Sequence, residues 1–201
     1  MSISCCPKCK KPTYDGKLCE NCKKKIEKEK YLNITPKQIA SNFTLKNSTN
    51  YKNYFVFQGK TFVEEQKNQC LWAPIQNKDG RSFHHWTRLT ELKVGDRVFH
   101  CNNGNIMAIS TVVEEAKITN NPPFPTEGLW QNTGWIVKCE YTNFYTPLPL
   151  KLFRQKIQST QRYQYSPFDK NGSGVLGYLF PLSDELASMF EEEIKKLNLS
   201  K

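Results

Sequence analysis

Residues 92–113 read LKVGDRVFHCNNGNIMAISTVV and predict two neighbouring β-strands. Gly95 and Asp96 make a turn dipeptide, and a strand is expected directly after it, at residues 97–101. Residues 106–113 are rich in β-branched side chains, which favour the pleated, half-buried surface of a sheet. This part of the chain therefore predicts a fold dominated by strands.

Further signals for short elements lie on both sides of this stretch. Strands are expected at residues 54–58, at Cys70-Leu71-Trp72-Ala73-Pro74 and at residues 135–141. Helices are expected at residues 62–68, around residues 87–92 and at residues 183–197, where Ser183 can cap the first turn. Many short strands with few helices indicate an α+β fold built around a mixed β-barrel. Residues 120–134, which include three prolines, are too long for a plain hairpin, and such insertions are often functional.

Five of the eight cysteines lie within the first 22 residues. Cys6-Pro7-Lys8-Cys9 and Cys19-Glu20-Asn21-Cys22 are two CxxC pairs, and their spacing can place four thiolates tetrahedrally around Zn²⁺. We therefore expect a structural zinc ribbon or knuckle, because a closed four-cysteine site leaves no open position for a reacting water. The expected ligands are Cys6, Cys9, Cys19 and Cys22, with Cys5 as an alternative first ligand. A pair of disulfides is the competing interpretation.

The chain has 201 residues and a formal net charge of +10. Residues 1–30 hold nine Lys and four acidic residues, so positive charge is densest there. Such a balance favours a polyanionic partner, with nucleic acid ahead of an anionic membrane, although a merely soluble basic protein would also show it. Length and composition predict three parts: the zinc ribbon at residues 1–30, a linker at 31–50 with a short helix near 37–41, and a folded domain at 51–201.

Several segments resemble, in their order and spacing, the EVE-like domains of the PUA superfamily. They are the motifs at residues 71–74, 83–86, 92–100, 104–110, 134–137 and 174–182, and the likeness covers about residues 52–192. The resemblance implies an α+β mixed β-pseudobarrel with flanking helices, related to YTH domains. It also implies a pocket that holds a flipped, modified base, as in readers fused to modification-dependent restriction nucleases. In this chain we expect the zinc module, in place of a nuclease domain, beside the domain that carries the resemblance.

A pocket for a flipped base needs planar rings for stacking and a few polar groups for the base edge. The residues expected to bind the base are Trp72, Ala73, Pro74, Phe83, His84, His85, Trp86, Trp135 and Tyr178. Trp72 and Trp86 lead this set because each lies beside a loop, although burial in the core is the competing interpretation for any tryptophan. Trp130, in the proline-rich loop, is expected to act as a lid or a surface wedge. For His84 and His85, a structural role competes with a ligand-binding one.

These observations favour a binding protein over an enzyme. The chain has no Walker phosphate-binding loop, and its three histidines do not show the layout of an HNH nuclease. The expected target is double-stranded DNA carrying methylated or hydroxymethylated cytosine, or N6-methyladenine, read for a restriction or defence system with a separately encoded nuclease. The alternatives are a PUA-like binder of tRNA or rRNA, and a zinc-ribbon protein adaptor. No run of about 18 apolar residues occurs, so we expect a cytoplasmic location without a membrane partner.

Overall fold

The computed structural model describes residues 51–126, 128, 130–160 and 163–199, together with residues 4, 5, 7, 9, 12, 13 and 22. The predicted linker at 31–50 and the predicted zinc ligands Cys6 and Cys19 lie outside the described residues. Strands Ser4–Cys5 (β1) and Pro12–Thr13 (β2) pair antiparallel, and the first CxxC motif lies between them in sequence. Cys9 is exposed and Cys22 is buried.

A six-stranded mixed sheet forms the main body of the protein. Its strands are Asn53–Phe57 (β3), Cys70–Pro74 (β4), Arg97–Asn102 (β5), Asn105–Thr119 (β6), Gly134–Pro149 (β7) and Leu179–Leu182 (β8). The strand order is β4-β7-β6-β5-β3-β8. Every neighbouring pair is antiparallel except β3 and β5, which run parallel.

The helices are short, apart from the last one. They are Phe62–Lys67 (α1), His84–Thr87 (α2), Arg154–Ser159 (α3) and Asp184–Leu199 (α4), with 3₁₀ turns at Arg88–Glu91 and Leu150–Phe153. The Ser183 hydroxyl accepts the backbone N–H of Leu186 at 3.4 Å, which satisfies one of the unpaired donors at the start of α4. None of the helices in the described part of the chain is both long and apolar enough to cross a membrane.

The predicted α+β class is confirmed, and the main differences concern the lengths of elements. The strands predicted at residues 106–113 and 135–141 are longer, because β6 and β7 pair with each other along most of their lengths. The helix predicted around residues 87–92 is instead the short α2 followed by a 3₁₀ turn. Strand β8 and helix α3 were not predicted, since neither is long enough to show a clear periodic pattern.

Each face of the sheet carries a buried apolar cluster, whereas the second half of β6 is mostly exposed. Side chains alternate along a strand, so Tyr54 and Val56 of β3 enter one apolar cluster while Phe55 enters the other. The first cluster packs against α1, α2 and the following turn through residues such as Trp86, and the second packs against α4 through residues such as Phe190. Burial on both faces explains why the strands contain so many consecutive apolar residues.

The sheet curls until its two edges approach each other. Six strands in a flat sheet would separate the edge strands β4 and β8 by about 24 Å, since neighbours lie about 4.8 Å apart. In the structure, the backbone N–H of Trp72 on β4 donates to the hydroxyl of Tyr178, just before β8, at 3.2 Å. The guanidinium of Arg88 also donates to the carbonyl of Leu179 at 3.3 Å. The sheet is therefore an open half-barrel whose edges nearly close.

Candidate ligand-binding cavity

A cavity of about 710 Å³ lies where the two edges of the sheet approach each other. This volume falls within the range of about 300–1,000 Å³ that is usual for ligand pockets. Seven of the nine residues predicted to bind a base line it: Trp72, Ala73, Pro74, Phe83, His85, Trp86 and Tyr178. The lining also includes residues outside that set, among them Phe57, Thr61, Phe124, Pro125, Trp130 and Leu176. The structure thus brings together distant parts of the sequence around one space.

Trp72 and Trp86 form the back wall of the cavity and are almost completely buried. Trp72 is 1% exposed and Trp86 is 8% exposed. The ring of Trp72 packs edge-on against Phe124 at 5.4 Å between centroids and lies 6.1 Å from Trp130. Rings this enclosed have little free face on which a ligand can stack. These two tryptophans therefore pack in the core and also line the cavity, and a base-binding role for them stays a prediction.

A glycine on the neighbouring strand makes room for Trp72. A Cβ atom at Gly134 of β7 would lie 2.4 Å from Cε2 of Trp72 and within 2.5 Å of two further indole atoms. Real Cβ contacts are never so short, so any other residue at this position would displace the indole. Gly134 therefore leaves the space that the Trp72 indole occupies beside β7.

Phe83, His85 and Trp130 form the front wall, which is more exposed. Phe83 is 38% exposed, and its ring stacks on that of His85 at 5.6 Å with an interplanar angle of 23°. Trp130 is half-buried, lines the cavity and lies 6.5 Å from Trp86, so it is part of the wall. The predicted role as a lid or a surface wedge stays a prediction. Leu176 stands fully exposed at the rim. These residues present apolar surface to the cavity and to solvent.

Contacts with Tyr178 and Gly177 hold His85 in the front wall. The backbone N–H of Tyr178 donates to Nδ1 of His85 at 3.1 Å, which places the ring proton on Nε2. Burial, helped by the positive charge of Arg88 and by His84, lowers the pKa of His85, so the ring is neutral at physiological pH. Gly177 has a φ of +155°, and a Cβ there would lie 2.4 Å from the ring of Phe180, so this close approach requires glycine.

His84 and Trp135 do not line the cavity. His84 is exposed, with Nε2 2.9 Å from the Arg88 guanidinium and its ring 4.7 Å from Tyr165. Trp135 is half-buried and packs against the first apolar cluster, and its indole N–H has no hydrogen-bond partner among the described residues. Residues that are neighbours in sequence therefore have different surroundings, because successive side chains of a strand or turn point in different directions. The sequence alone does not show which of them faces the cavity.

The backbone carbonyl groups on the free edge of β4 are candidate acceptors for a ligand in the cavity. The N–H of Ile75 donates to the carbonyl of Thr133, so the odd-numbered residues of β4 face β7. In an antiparallel ladder, the backbone groups of the residues between them point the other way. The carbonyl groups of Trp72 and Pro74 therefore point away from β7, towards the side on which Tyr178 meets β4.

A chain of buried polar side chains ends at the cavity wall. The hydroxyl of Tyr178 donates to the carboxyl group of Glu65 at 2.9 Å, and the side-chain amide of Gln58 donates to the same oxygen. The Gln58 carbonyl oxygen lies 2.8 Å from Nδ1 of His100, whose Nε2 lies 2.7 Å from the Ser110 hydroxyl. This network fixes the position of Tyr178.

Burial keeps Glu65 and His100 in this network mostly uncharged near neutral pH. Loss of solvation raises the pKa of Glu65 to about 8, although hydrogen bonds from Gln58 and Tyr178 oppose the shift. Loss of solvation also lowers the pKa of His100 to about 3. Near neutral pH the interior behind the cavity therefore holds a mostly protonated carboxyl group and a neutral imidazole.

Comparisons with known proteins give only distant similarities. No protein-family model matches the chain, and no curated protein matches it. A hypothetical protein from Leishmania major aligns over 75% of this chain and 99% of its own, at 10% identity and a TM-score of 0.49. The DUF55 domain of human thymocyte nuclear protein 1 aligns over 71% of this chain and 98% of its own, at 15% identity and a TM-score of 0.45.

A further structure, that of human THYN1 protein in complex with DNA containing 5-methylcytosine, aligns over 72% of this chain and 98% of its own. Its identity to this chain is 16%, with a TM-score of 0.44. Similarities this distant assign no function, so the chemistry of the cavity has to be argued from its own residues.

Proposed function

We propose that this chain binds nucleic acid and holds a single unstacked, modified base in the cavity. The observation that carries the proposal is the front wall, where Phe83 and Trp130 offer aromatic surface beside a space of about 710 Å³. Unstacking a base costs a few kcal/mol, and each aromatic side chain on which it stacks returns about 1–3 kcal/mol. A base with an added methyl group gains further apolar contact in such a pocket.

The backbone of β4 supports cytosine or adenine as the parent base. The carbonyl groups of Trp72 and Pro74 accept hydrogen bonds, and cytosine and adenine each carry an exocyclic amino group that donates. Thymine and uracil have a carbonyl at the corresponding position and would face these oxygens with like partial charge. We therefore propose methylated or hydroxymethylated cytosine, or N6-methyladenine, as the target.

Leu176 supports a duplex as the natural partner. Removing a base from a duplex leaves a gap, and apolar side chains such as leucine are inserted between base steps in proteins that distort DNA. Leu176 is fully exposed at the rim, where solvation of its side chain is unfavourable until it is covered. The formal charge of +10 supplies the general attraction to phosphate. A role as the reader of a restriction or defence system, working with a separately encoded nuclease, is part of this proposal and is supported by the sequence resemblance.

The test is a fluorescence-polarisation titration at fixed salt. The probes are matched duplexes carrying cytosine, 5-methylcytosine, 5-hydroxymethylcytosine, adenine or N6-methyladenine, with their RNA equivalents. We expect one modified duplex to bind at least about tenfold more tightly than its plain counterpart, which corresponds to about 1.4 kcal/mol. Phe83→Ala and Trp130→Ala should remove this preference, because each deletes an aromatic surface of the front wall.

Tyr145→Ala is the matched control, since Tyr145 is an aromatic residue that is 59% exposed and does not line the cavity. It should keep the full preference for the modified duplex. Equal affinities for all DNA probes would contradict the proposal. Binding that depends on the 2′-hydroxyl would instead identify an RNA reader.

We also propose a structural zinc ion at Cys6, Cys9, Cys19 and Cys22. The spacing of the two CxxC pairs supports it, and the pairing of Ser4 and Cys5 with Thr13 and Pro12 suits a knuckle around the first pair. The metal would supply folding free energy to a segment too short for a core of its own. Metal analysis of the purified protein should find stoichiometric zinc, and Cys22→Ser should lower it. A zinc-free wild type with full binding activity would rule the site out.

A further inference from the structure

A second concave surface lies on the other side of the loop that borders the cavity. It is a groove of about 500 Å³. Its walls are the turn between β5 and β6 at Asn103 and Gly104, the segment of Lys151 and Arg154 at the start of α3, and the loop at residues 172–174. Asn103 and Gly104 have φ values of +48° and +73°, the pattern of a tight hairpin turn. The groove is therefore built from well-defined turns.

The charge of this groove is entirely positive. None of the described residues that line it is acidic, whereas Lys151 and Arg154 are both exposed cations. Within the described ranges, neither of them forms an ion pair with a carboxylate; the ion pair nearest in sequence joins Lys156 to Glu193. The nearest carboxylate of the loop, Asp169, accepts the backbone N–H groups of Asn171 and Ser173 and does not line the groove. A groove lined by two cations and no acid favours an anionic ligand.

The loop packs against α3 and holds Arg154 in place. Gly172 has a φ of +68°, and a Cβ there would lie 2.5 Å from the carbonyl oxygen of Arg154, so the two backbones are in direct contact. The guanidinium of Arg154 donates to the hydroxyl of Ser173. This bond restrains one end of a long side chain, which lowers the entropy that Arg154 loses when it binds a ligand.

The groove and the cavity share a wall. Phe57 lines both spaces, and a Cβ at Gly174 would lie 2.8 Å from its ring, so the loop rests directly on Phe57. One stretch of this loop, residues 172–174, faces the groove, and the next, residues 176–178, faces the cavity. A polymeric ligand that places one of its units in the cavity can therefore reach the groove by passing over this loop.

From this arrangement we infer that the groove binds a backbone phosphate of the nucleic-acid strand whose base occupies the cavity. The inference rests on the proposed function. Two aromatic residues line the groove. Phe57 belongs to the wall shared with the cavity and Phe168 is buried, so a second base has little surface on which to stack in the groove. The contact therefore positions the strand and carries no sequence information. Arg154 and Lys151 provide the charge, and Ser173 orients the guanidinium.

The test compares the salt dependence of binding in two charge-matched double variants. One is Lys151→Ala with Arg154→Ala, and the other is Lys93→Ala with Lys117→Ala, two exposed lysines that line neither the groove nor the cavity. Each phosphate contact contributes about 0.9 to the slope of log K against log salt. We expect the groove variant to reduce the magnitude of this slope by about 0.9, the contribution of one phosphate contact, with affinity falling equally for modified and plain duplexes. The control variant should keep the wild-type slope.

The measurements distinguish failure of this inference from failure of the proposed function. Equal slopes for the two variants would overturn the groove as a phosphate site, even if the modified base is still preferred. No preference for any modified base would overturn the proposed function, and the slope on plain duplex would still report on the groove. Arg154→Lys tests folding, because it keeps the charge and should retain most of the wild-type slope.

Discussion

The two walls of the cavity are both aromatic, yet they differ sharply in exposure. Trp72 and Trp86 in the back wall are 1% and 8% exposed, whereas Phe83 in the front wall is 38% exposed. A ring without a free face cannot stack on a ligand, but its packing holds the neighbouring rings in position. The back wall should therefore control stability, and the front wall should control binding.

The largest effect is expected on the free energy of unfolding. Mutating one tryptophan in each wall separates the two roles. Trp72→Ala should lower the free energy of unfolding by about 3–5 kcal/mol, because it removes a large buried ring together with its packing contacts. Trp130→Ala should cost clearly less, since Trp130 is half-buried and its contacts are partly open to solvent. Urea denaturation of both variants measures the difference. Equal losses of stability would break the comparison between the walls.

The next effect concerns the buried carboxyl group behind the cavity. Burial raises the pKa of Glu65 to about 8 from a value of 4.5, so the unfolded chain loses this proton at lower pH than the folded chain. The free energy of unfolding should therefore fall as pH rises from 4.5 to about 8, by up to about 1.4 kcal/mol per pH unit. It should level off above the pKa of the folded state. Glu65→Gln should remove that decline.

The decline is best measured between about pH 6.5 and 8, because another buried group acts below this range. The pKa of His100 is lowered from 6.5 to about 3, so His100 makes stability fall as pH drops below 6.5. Between pH 4.5 and 6.5 the two slopes have opposite signs and largely cancel. Glu64→Gln on the same helix is the control, since Glu64 is partly exposed and should leave the decline intact. A decline that survives Glu65→Gln would show that another group causes it.

The smallest effect is expected for the hydroxyl of Tyr178, which joins the buried polar network to the back wall of the cavity. Tyr178→Phe removes the hydroxyl that donates to Glu65 and accepts from the N–H of Trp72. Leaving buried polar groups without their partner typically costs about 1–3 kcal/mol, and solvent that enters from the adjacent cavity should keep the loss near the lower value. Thermal unfolding reports the loss, and the modified-base titration reports any shift of the cavity wall. An unchanged melting temperature would mean that the network does not stabilise the closure of the sheet.

The sequence predicted the strands better than it predicted the direction of individual side chains. The strands at residues 54–58, 70–74 and 97–101 are found within one residue at each end, because their apolar runs are bounded by clear turn signals. It could not decide whether Trp72 and Trp86 face a ligand or the core, since that depends on which face of a curled sheet each strand presents. The clearance at Gly134 that admits the Trp72 ring exists only after β4 and β7 pair.

The missed lining residues had weaker signals, but not absent ones. Phe124 and Pro125 belong to the long proline-rich loop that the sequence marks as functional. Leu176 lies between Gly174 and Gly177, where an apolar side chain in a glycine-rich loop has no neighbours to bury it. Phe57 gave no separate signal, because it reads simply as the end of a strand. These residues become a site only through contacts between distant segments.

The pairing of β3 with β8 also determines when the cavity can appear during synthesis. Asn53 opposes Leu182 and Val56 opposes Leu179, so the first and last strands of the sheet are hydrogen-bonded neighbours. Non-local pairing of this kind slows folding, and an unpaired strand edge promotes aggregation until it is covered. While the ribosome adds residues at about 5–20 per second, β3 waits with one edge open for β8 to emerge. The nascent protein would therefore acquire its ligand-binding cavity and cover the open edge of β3 in the same late step.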